Sequence, residues 1–291
     1  MRGVRNIAQL AVGPRTGTEI RKLRAWGGDL RIVWSYQADR ELRPNAVDVS
    51  IYNLSAESRA ILDAFDAEGA ELLLVLQAGT EADGLRDIAV ADIVDVEHTR
   101  KGPDWITSIE AGEGERVYTD AHLSVSLLPG ATVDQILTTV TSVYAEAGIT
   151  LDRSRLESLP QVQRLRGFSY EGPASDGIEA LARELGIKAT SQLGKLVLST
   201  DVPTAAVRSV VLSPDTGLVG TPKRTKSKRD GLRWEVEALF RLAIQVGDVV
   251  AVKSTAWTGT GIVDELEASG DTHGAATATL TVIPLTTDSA E

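Results

Sequence analysis

Apolar and polar residues alternate along most of this chain, and that period of two constrains its fold more than any other feature. Successive side chains of a strand point to opposite faces, so alternation marks a sheet with one buried and one solvated face. Residues 29–37 and 45–54 alternate in this way. Between them, 38–44 holds four charges and a proline, the composition of a hairpin loop. Residues 70–77, 88–97 and 104–111 read as further strands, with a charged turn at 99–103. Strands return at 208–212, 231–240, 248–253, 261–267 and 275–283, the last stopping at Pro284, which has no backbone donor.

Helical spacing interrupts this pattern. Ser55 is placed to cap a short helix with Ile61, Leu62 and Phe65 on its apolar side. Over 132–147, Val133, Ile136, Leu137, Val140 and Tyr144 fall on one stripe; Thr132 with Gln135 forms a capping box and Gly148 supplies the stop. A second helix spans 175–185, with Ile178, Leu181 and Leu185 inward, and a hairpin turning at Leu193 and Gly194 follows. The fold class is therefore mainly β with an α+β insertion. The two β-rich parts also echo one another. Ile93-Val94-Asp95 and Ile262-Val263-Asp264 each follow a hydrophobic strand and precede a polar loop and an alternating strand, which suggests a duplicated β-unit.

Composition removes much chemistry. The 291 residues include no cysteine, which excludes disulfides, thiolate-bound metals and thiol catalysis. His98, His122 and His273 lie far apart and are expected in loops or at strand ends rather than around a metal. The net charge of −11 argues against a general nucleic-acid binder. No apolar run approaches the roughly 18–20 residues that span a bilayer, and the polar, basic start is not expected to act as a secretory signal.

Acids are plentiful, with Asp92, Asp95 and Glu97 in one group and Asp264, Glu265 and Glu267 in another. A glycosidase needs two carboxylates flanking a sugar. The strand period puts Asp95 and Glu97 on one solvated face, away from Val94 and Val96, and aromatics at 4% leave little for a sugar-stacking cleft. Residues 220–227 fail as a phosphate loop, because Thr225 replaces the required glycine and Pro222 removes a donor. What remains there is a basic run, Lys223, Arg224, Lys226, Lys228 and Arg229, either a solvated hairpin tip or a contact for an acidic partner or a neighbouring copy. Charge is uneven: residues 57–97 hold eleven acids and two arginines, and residues 1–24 hold six bases and one acid.

Several segments together resemble the late control protein D group of phage baseplate hub proteins. They are Ser50–Ser55 with its following helix and the strand ending Gln77-Ala78-Gly79, the helix entry Leu128–Thr132, and Gly217–Pro222 leading to the strand from Trp234. The end of the chain adds residues 244–250, Gly261-Ile262-Val263 and Gly270–Gly274. Thr80 stands where that group often has tyrosine, and Ala91 and Asp92 where it often has glycine. The resemblance implies two tube-like β-barrel domains, 1–118 and 206–291, separated by an α/β region at 119–205. It implies a homotrimer around a channel that passes DNA, matching a sixfold tail tube to a threefold spike. Implied partners are a tail tube protein, a separate spike protein, a tape measure protein and baseplate wedge proteins. The implied location is the virion tail, assembled in the host cytoplasm, without stable membrane anchoring. No catalytic, cofactor-binding or metal-ligating residue is assigned. The alternative is a β-rich binding module for a glycan or receptor, with Trp26, Trp105 and Trp257 as its candidate aromatics.

Overall fold

The computed structural model describes residues 5–16, 19–20, 24–67, 72–156, 167–200, 208–227, 231–240 and 244–285. The first β-rich part contains β1 (Asn6–Thr16), β2 (Glu19–Ile20), β3 (Arg24–Trp26), β4 (Ile32–Asp39), β5 (Asn45–Tyr52), α1 (Ala56–Ala67), β6 (Leu72–Thr80), β7 (Gly84–Lys101) and β8 (Asp104–Glu113). The middle holds α2 (Glu115–Asp120), β9 (His122–Leu127), α3 (Val133–Glu146), β10 (Thr150–Arg155), β11 (Phe168–Pro173), α4 (Ala174–Leu185), β12 (Lys188–Gln192) and β13 (Lys195–Ser199). The last part contains β14 (Ser209–Leu212), β15 (Leu218–Ser227), β16 (Gly231–Leu239), β17 (Val249–Lys253), β18 (Thr258–Asp271) and β19 (Ala276–Pro284). The chain is mainly β, with α/β material between two β-rich ends.

The two ends repeat one topology. Neighbouring strands run β4-β5-β8-β7-β6-β1 in the first and β15-β16-β19-β18-β17-β14 in the second, and corresponding strands follow the same chain order. The echo around the two Ile-Val-Asp tripeptides thus extends to six strands. One pairing differs: β1 meets β6 antiparallel, whereas β14 meets β17 parallel. Each unit also has a long strand with a bulge at the same place. Register shifts between Ile93 and Asp95 on β7, and between Val263 and Glu265 on β18. An extra residue at a bulge redirects the side chains beyond it. Val94 is therefore 60% exposed, while Val96 packs against the core, so these two valines do not share a face.

The units are not separate sheets. Beyond its bulge, β18 pairs antiparallel with β4, from Glu265 opposite Asp39 to Asp271 opposite Val33. The ladder continues past the strand end: Thr272 N donates to the Ile32 carbonyl (3.1 Å), and Ile32 N donates to the Thr272 hydroxyl (3.0 Å). The inward faces of both units, including Leu10, Trp34, Ile51, Leu76, Ile109, Val236, Leu266 and Leu280, form one contiguous core. The α/β region has its own core, built from Ile136, Leu137, Val140 and Tyr144 of α3 and Ile178 and Leu181 of α4, with Leu196 and Leu198 of β13.

The helix stripe read from the sequence is buried, and the capping box of Thr132 and Gln135 is present. Ser55 accepts from Ser58 N at 3.1 Å, as a cap does. The differences lie mainly at ends and in polar strands. Residues 29–31 precede β4, and 99–101 extend β7 rather than forming a turn. The basic run is not simply a loop: Lys223, Arg224 and Lys226 belong to β15. Lys228 and Arg229, and the side chains of Trp26, Phe65 and Lys226, lie outside what is described. The alternation also missed β1, the partner of β6 along nine residue pairs.

Where the units join, Gly270 lies over Trp34, and a Cβ there would sit 2.6 Å from the indole ring. Gly270→Ala is expected to destabilise the chain by about 1–3 kcal/mol through overpacking. The urea unfolding midpoint reads this, and Trp34→Leu in the same chain should recover part of the loss.

Candidate functional site

The sheet buries one face in the core, and its other face is where chemistry can be presented. Across β19, β18, β4, β5, β8 and β7, the residues Thr277, Ser269, Ser35, Asp48, Glu110 and Asp95 stand side by side. The next row runs Glu237, Thr279, Glu267 and Gln37 from β16 to β4, and the one beyond it Glu235, Thr281, Glu265 and Asp39. Ser50, Ser108 and Glu97 form a further row on the other side. These rows contain carboxylates, hydroxyls and amides but no lysine or arginine, and they cross from one repeat into the other without interruption.

Strand geometry explains the composition. Glu235 with Glu237, Glu265 with Glu267, and Asp95 with Glu97 are each two residues apart, so each pair shares the outward face. Most of these carboxylates are exposed, and Ser35 donates to Asp48 at 2.9 Å. Among the described residues, bases meet the face only at its margins. Lys223 on the edge strand β15 lies 2.9 Å from Glu235 and 3.6 Å from Glu237. Arg233 bridges Asp264 (2.8 Å) and Glu265 (3.2 Å), and Arg43 pairs with Asp39. Burial lifts the Asp264 carboxyl above its usual range, and Arg233 opposes that shift. Asp264 is thus a bulge residue tied to Arg233, and only Glu265 and Glu267 of its group point outward with the rows.

The acid-rich stretch 57–97 does not stay together. Asp95 and Glu97 reach the face. Glu81 and Asp83 lie in the turn before β7, and Asp63 on α1 faces His98 at 3.2 Å. Most of the face comes instead from 39, 48, 110 and 235–267. Acids repeated two apart on alternating segments were the signal that could have found them.

Two buried ionic groups lock the α/β region to the sheet. Glu113, fully buried, accepts four hydrogen bonds: from Tyr36 (2.8 Å), Asn45 (2.9 Å), Val90 N (3.0 Å) and Leu193 N (2.8 Å). Those donors come from β4, β5, β7 and the β12–β13 turn, where Leu193 has φ of +51°. Burial still pushes the Glu113 carboxyl above its usual range, against the pull of its donors. On the other repeat, Arg155 pairs with the buried Asp248 (3.0 Å) and donates to the Val246 carbonyl (2.7 Å).

The other sequence candidates are accounted for by packing. His98 sits within β7 rather than at a strand end, between Asp63 and Thr107 (2.9 Å). His122 starts β9 and His273 is exposed in the turn before β19, so the three are not gathered. Among the described residues no group of three His, Cys, Asp or Glu could hold a metal ion. Trp257 is 8% exposed and stacks on Trp234 at 5.0 Å, and Trp105 lies beneath the Arg59 guanidinium at 4.2 Å. No helix among the described residues is long and apolar enough to cross a membrane.

No protein-family description matches the sequence. No curated protein matches it either. Solved structures do match the fold. The 43 kDa tail protein of prophage MuSo2 from Shewanella oneidensis is 12% identical with a TM-score of 0.64, the match covering 97% of this chain and 98% of that one. A tail protein from Neisseria meningitidis MC58 is 10% identical with a TM-score of 0.62, covering 94% and 96%. An Escherichia coli type VI secretion component, itself described as structurally similar to the T4 tail proteins gp27 and gp5, is 13% identical with a TM-score of 0.64, covering 92% and 77%. The structural neighbours are thus phage tail and type VI secretion proteins, in agreement with the resemblance read from the motifs.

The Glu113 site gives a signed pH dependence. Its folded pKa lies above the ordinary 4.5, so the folded state holds the proton more tightly. The stability this contributes is complete below about pH 4.5 and is lost as pH rises through the folded value. Glu113→Gln should be less stable by about 1–3 kcal/mol, because its amide meets donors on every side. The difference in unfolding free energy between wild type and variant should shrink as pH rises above that range; a constant difference would place the carboxyl's pKa at its ordinary value.

Proposed function

We propose that this chain is a structural hub protein of a phage tail baseplate. Three copies form a ring that adapts a sixfold tail tube to a threefold spike and leaves a channel for DNA. The observation that carries this reading is the repeated six-strand unit. A chain with two like units offers six similar positions when three copies surround an axis, yet only three where the α/β regions lie. The units at 1–118 and 206–291 act as two tube-like domains, and 119–205 as the region that distinguishes one end of the ring.

The acid and hydroxyl rows supply a surface suited to the channel. They continue across both units, and carboxylates facing a moving polyanion repel its phosphates rather than retaining them. The partners on this reading are a tail tube protein, a separate spike protein, the tape measure protein and baseplate wedge proteins. The chain works in the virion tail after assembly in the host cytoplasm, with no stable membrane anchoring. It is not an enzyme and uses no cofactor, and the fold shared with phage tail proteins supports that role. A glycan-binding module is less well supported, since Trp257 is buried and Trp105 is covered.

Solution mass tests the ring: three copies of 31.0 kDa give 3 × 31.0 = 93 kDa. A particle of that mass, or incorporation at three copies in imaged tail tips, is the expected result; a strict monomer that binds glycan would overturn it. The channel assignment has its own test. Replacing Glu235, Glu237, Glu265 and Glu267 by lysine should leave tails assembled but slow DNA release by on the order of tenfold, with the effect shrinking as salt rises. Unchanged release would place these rows outside the channel.

A further inference from the structure

The α/β region uses the same ground differently on the two units. Matching the bulge residues Val94 and Asp264 makes Asp92 with its partner Gly112 the counterpart of Ile262 with its partner Ile283. On the first unit this ground is covered by the β12–β13 turn and the start of α2. Leu193 N donates to Glu113 (2.8 Å), Arg116 N donates to Asp92 (3.4 Å), and Gly194 lies so close to Val90 that a Cβ would come 3.3 Å from it. On the second unit the same ground floors an open cavity of about 440 Å³, with Ile262, Ile283 and Leu285 as its apolar residues.

A second cavity, of about 480 Å³, adjoins it, and the two share Arg40, Glu41 and Lys188. Its floor is apolar as well, with Leu42 and Ala189 4% exposed and Ile187 7%. Together they form a groove bounded by the β4–β5 turn, by α4 and β12, and by the end of β19, with two apolar floors and a charged waist. Cavities of roughly 300–1,000 Å³ are of ligand-holding size. Five bases and five acids line the groove, so its occupant needs no net charge. Arg43 is matched by Asp39, and Arg233 by Asp264 and Glu265. At the waist Glu41 and Lys188 are exposed and form no ion pair among the described residues, which leaves a carboxylate to accept and an ammonium to donate.

We propose that this groove seats an aliphatic-tipped turn of another tail-tip protein, one turn to each copy of the chain. The turn rests an aliphatic side chain on each floor and straddles the waist, where Glu41 accepts from its backbone N–H and Lys188 donates to its carbonyl. The first unit supplies the precedent: there the turn of Leu193 and Gly194 packs on the corresponding strand and gives its backbone donor to Glu113. That turn is already seated within each chain, so the matching one on the second unit comes from a different protein. The proposal rests on the baseplate reading and adds to it a place where a partner is held.

Two measurements on the full chain test this. In solution, a cyclic hairpin peptide with leucine at two turn positions should bind on the order of tenfold more tightly than the same peptide with serine there. Lys188→Ala with Leu285→Asp should abolish that preference and Lys188→Arg should keep it, all at the wild-type melting temperature. In assembled tails, photoreactive benzoylphenylalanine in place of Arg43, exposed on the rim, should link to a turn of one other tail protein. Equal binding of the two peptides, a preference that survives the double change, or tails that give no link or a link only to a second copy each overturn the groove as a partner seat, and leave the mass of the ring unaffected. A link to another protein in tips that hold other than three copies overturns the ring and keeps the seat.

Discussion

The structure depends on the backbone ladder between β4 and β18. A strand edge is a row of unpaired donors and acceptors, and each repeat unit has such an edge where its long strand runs past the bulge. Pairing β18 with β4 satisfies one of those edges and makes the inward faces of two units a single core. A backbone bond holds one end of the seam and an ion pair the other. Arg40 N donates to the Asp264 carbonyl at 3.1 Å at one end, and Arg31 grips Asp271 at 2.7 Å at the other. The seam also aligns the outward acids of one unit with those of the other, so the continuous face is a consequence of backbone pairing rather than a separate feature.

Most of the elements were legible because a half-buried strand declares itself by alternation. The segments 29–37, 45–54, 231–240 and 275–283 lie close to β4, β5, β16 and β19 for that reason. The polar ends of long strands were not legible. Thr99–Lys101 and Lys223–Ser227 lack inward apolar residues, since they extend beyond the core and are held by ladder bonds to one neighbour. β1 was missed because its three described inward residues, Ala8, Leu10 and Val12, follow a basic, polar start and precede a proline. The face itself was half visible. Asp95 with Glu97 was read as solvated surface and Glu265 with Glu267 as part of a group of acids, but which strands adjoin is a property of pairing across more than 200 residues, as from Glu265 to Asp39. Local periodicity carries no information on that choice.

Glu113 shows a similar division between local and distant information. Its position at the end of an alternating strand gives no hint that it is buried, because its partners arrive from β4, β5, β7 and the β12–β13 turn. A buried carboxylate with four donors contributes little net stability compared with an apolar side chain of similar size. Its effect is on specificity: any shift of the turn at Leu193 leaves donors or acceptor unpaired, at about 1–3 kcal/mol for each unsatisfied group. Arg155 with Asp248 imposes the same kind of condition on the other repeat. The α/β region is thereby held to both units, and these two locks act together with the packing of Leu42 into its core and with bonds such as Thr190 to the Asp39 carbonyl.

These constraints act in one order. The chain carries two units with the same strand order, and the pairing of β4 with β18 joins them into one sheet. The α/β region, locked across both units, makes them unequal, so a chain is a two-unit segment with a defined direction. Among the described residues, the edge of β7 from Asp95 to Lys101 and the outer side of β15 carry no strand. The rows of acids follow the sheet, so the pairing that joins the two units also makes their outward carboxylates one continuous stripe.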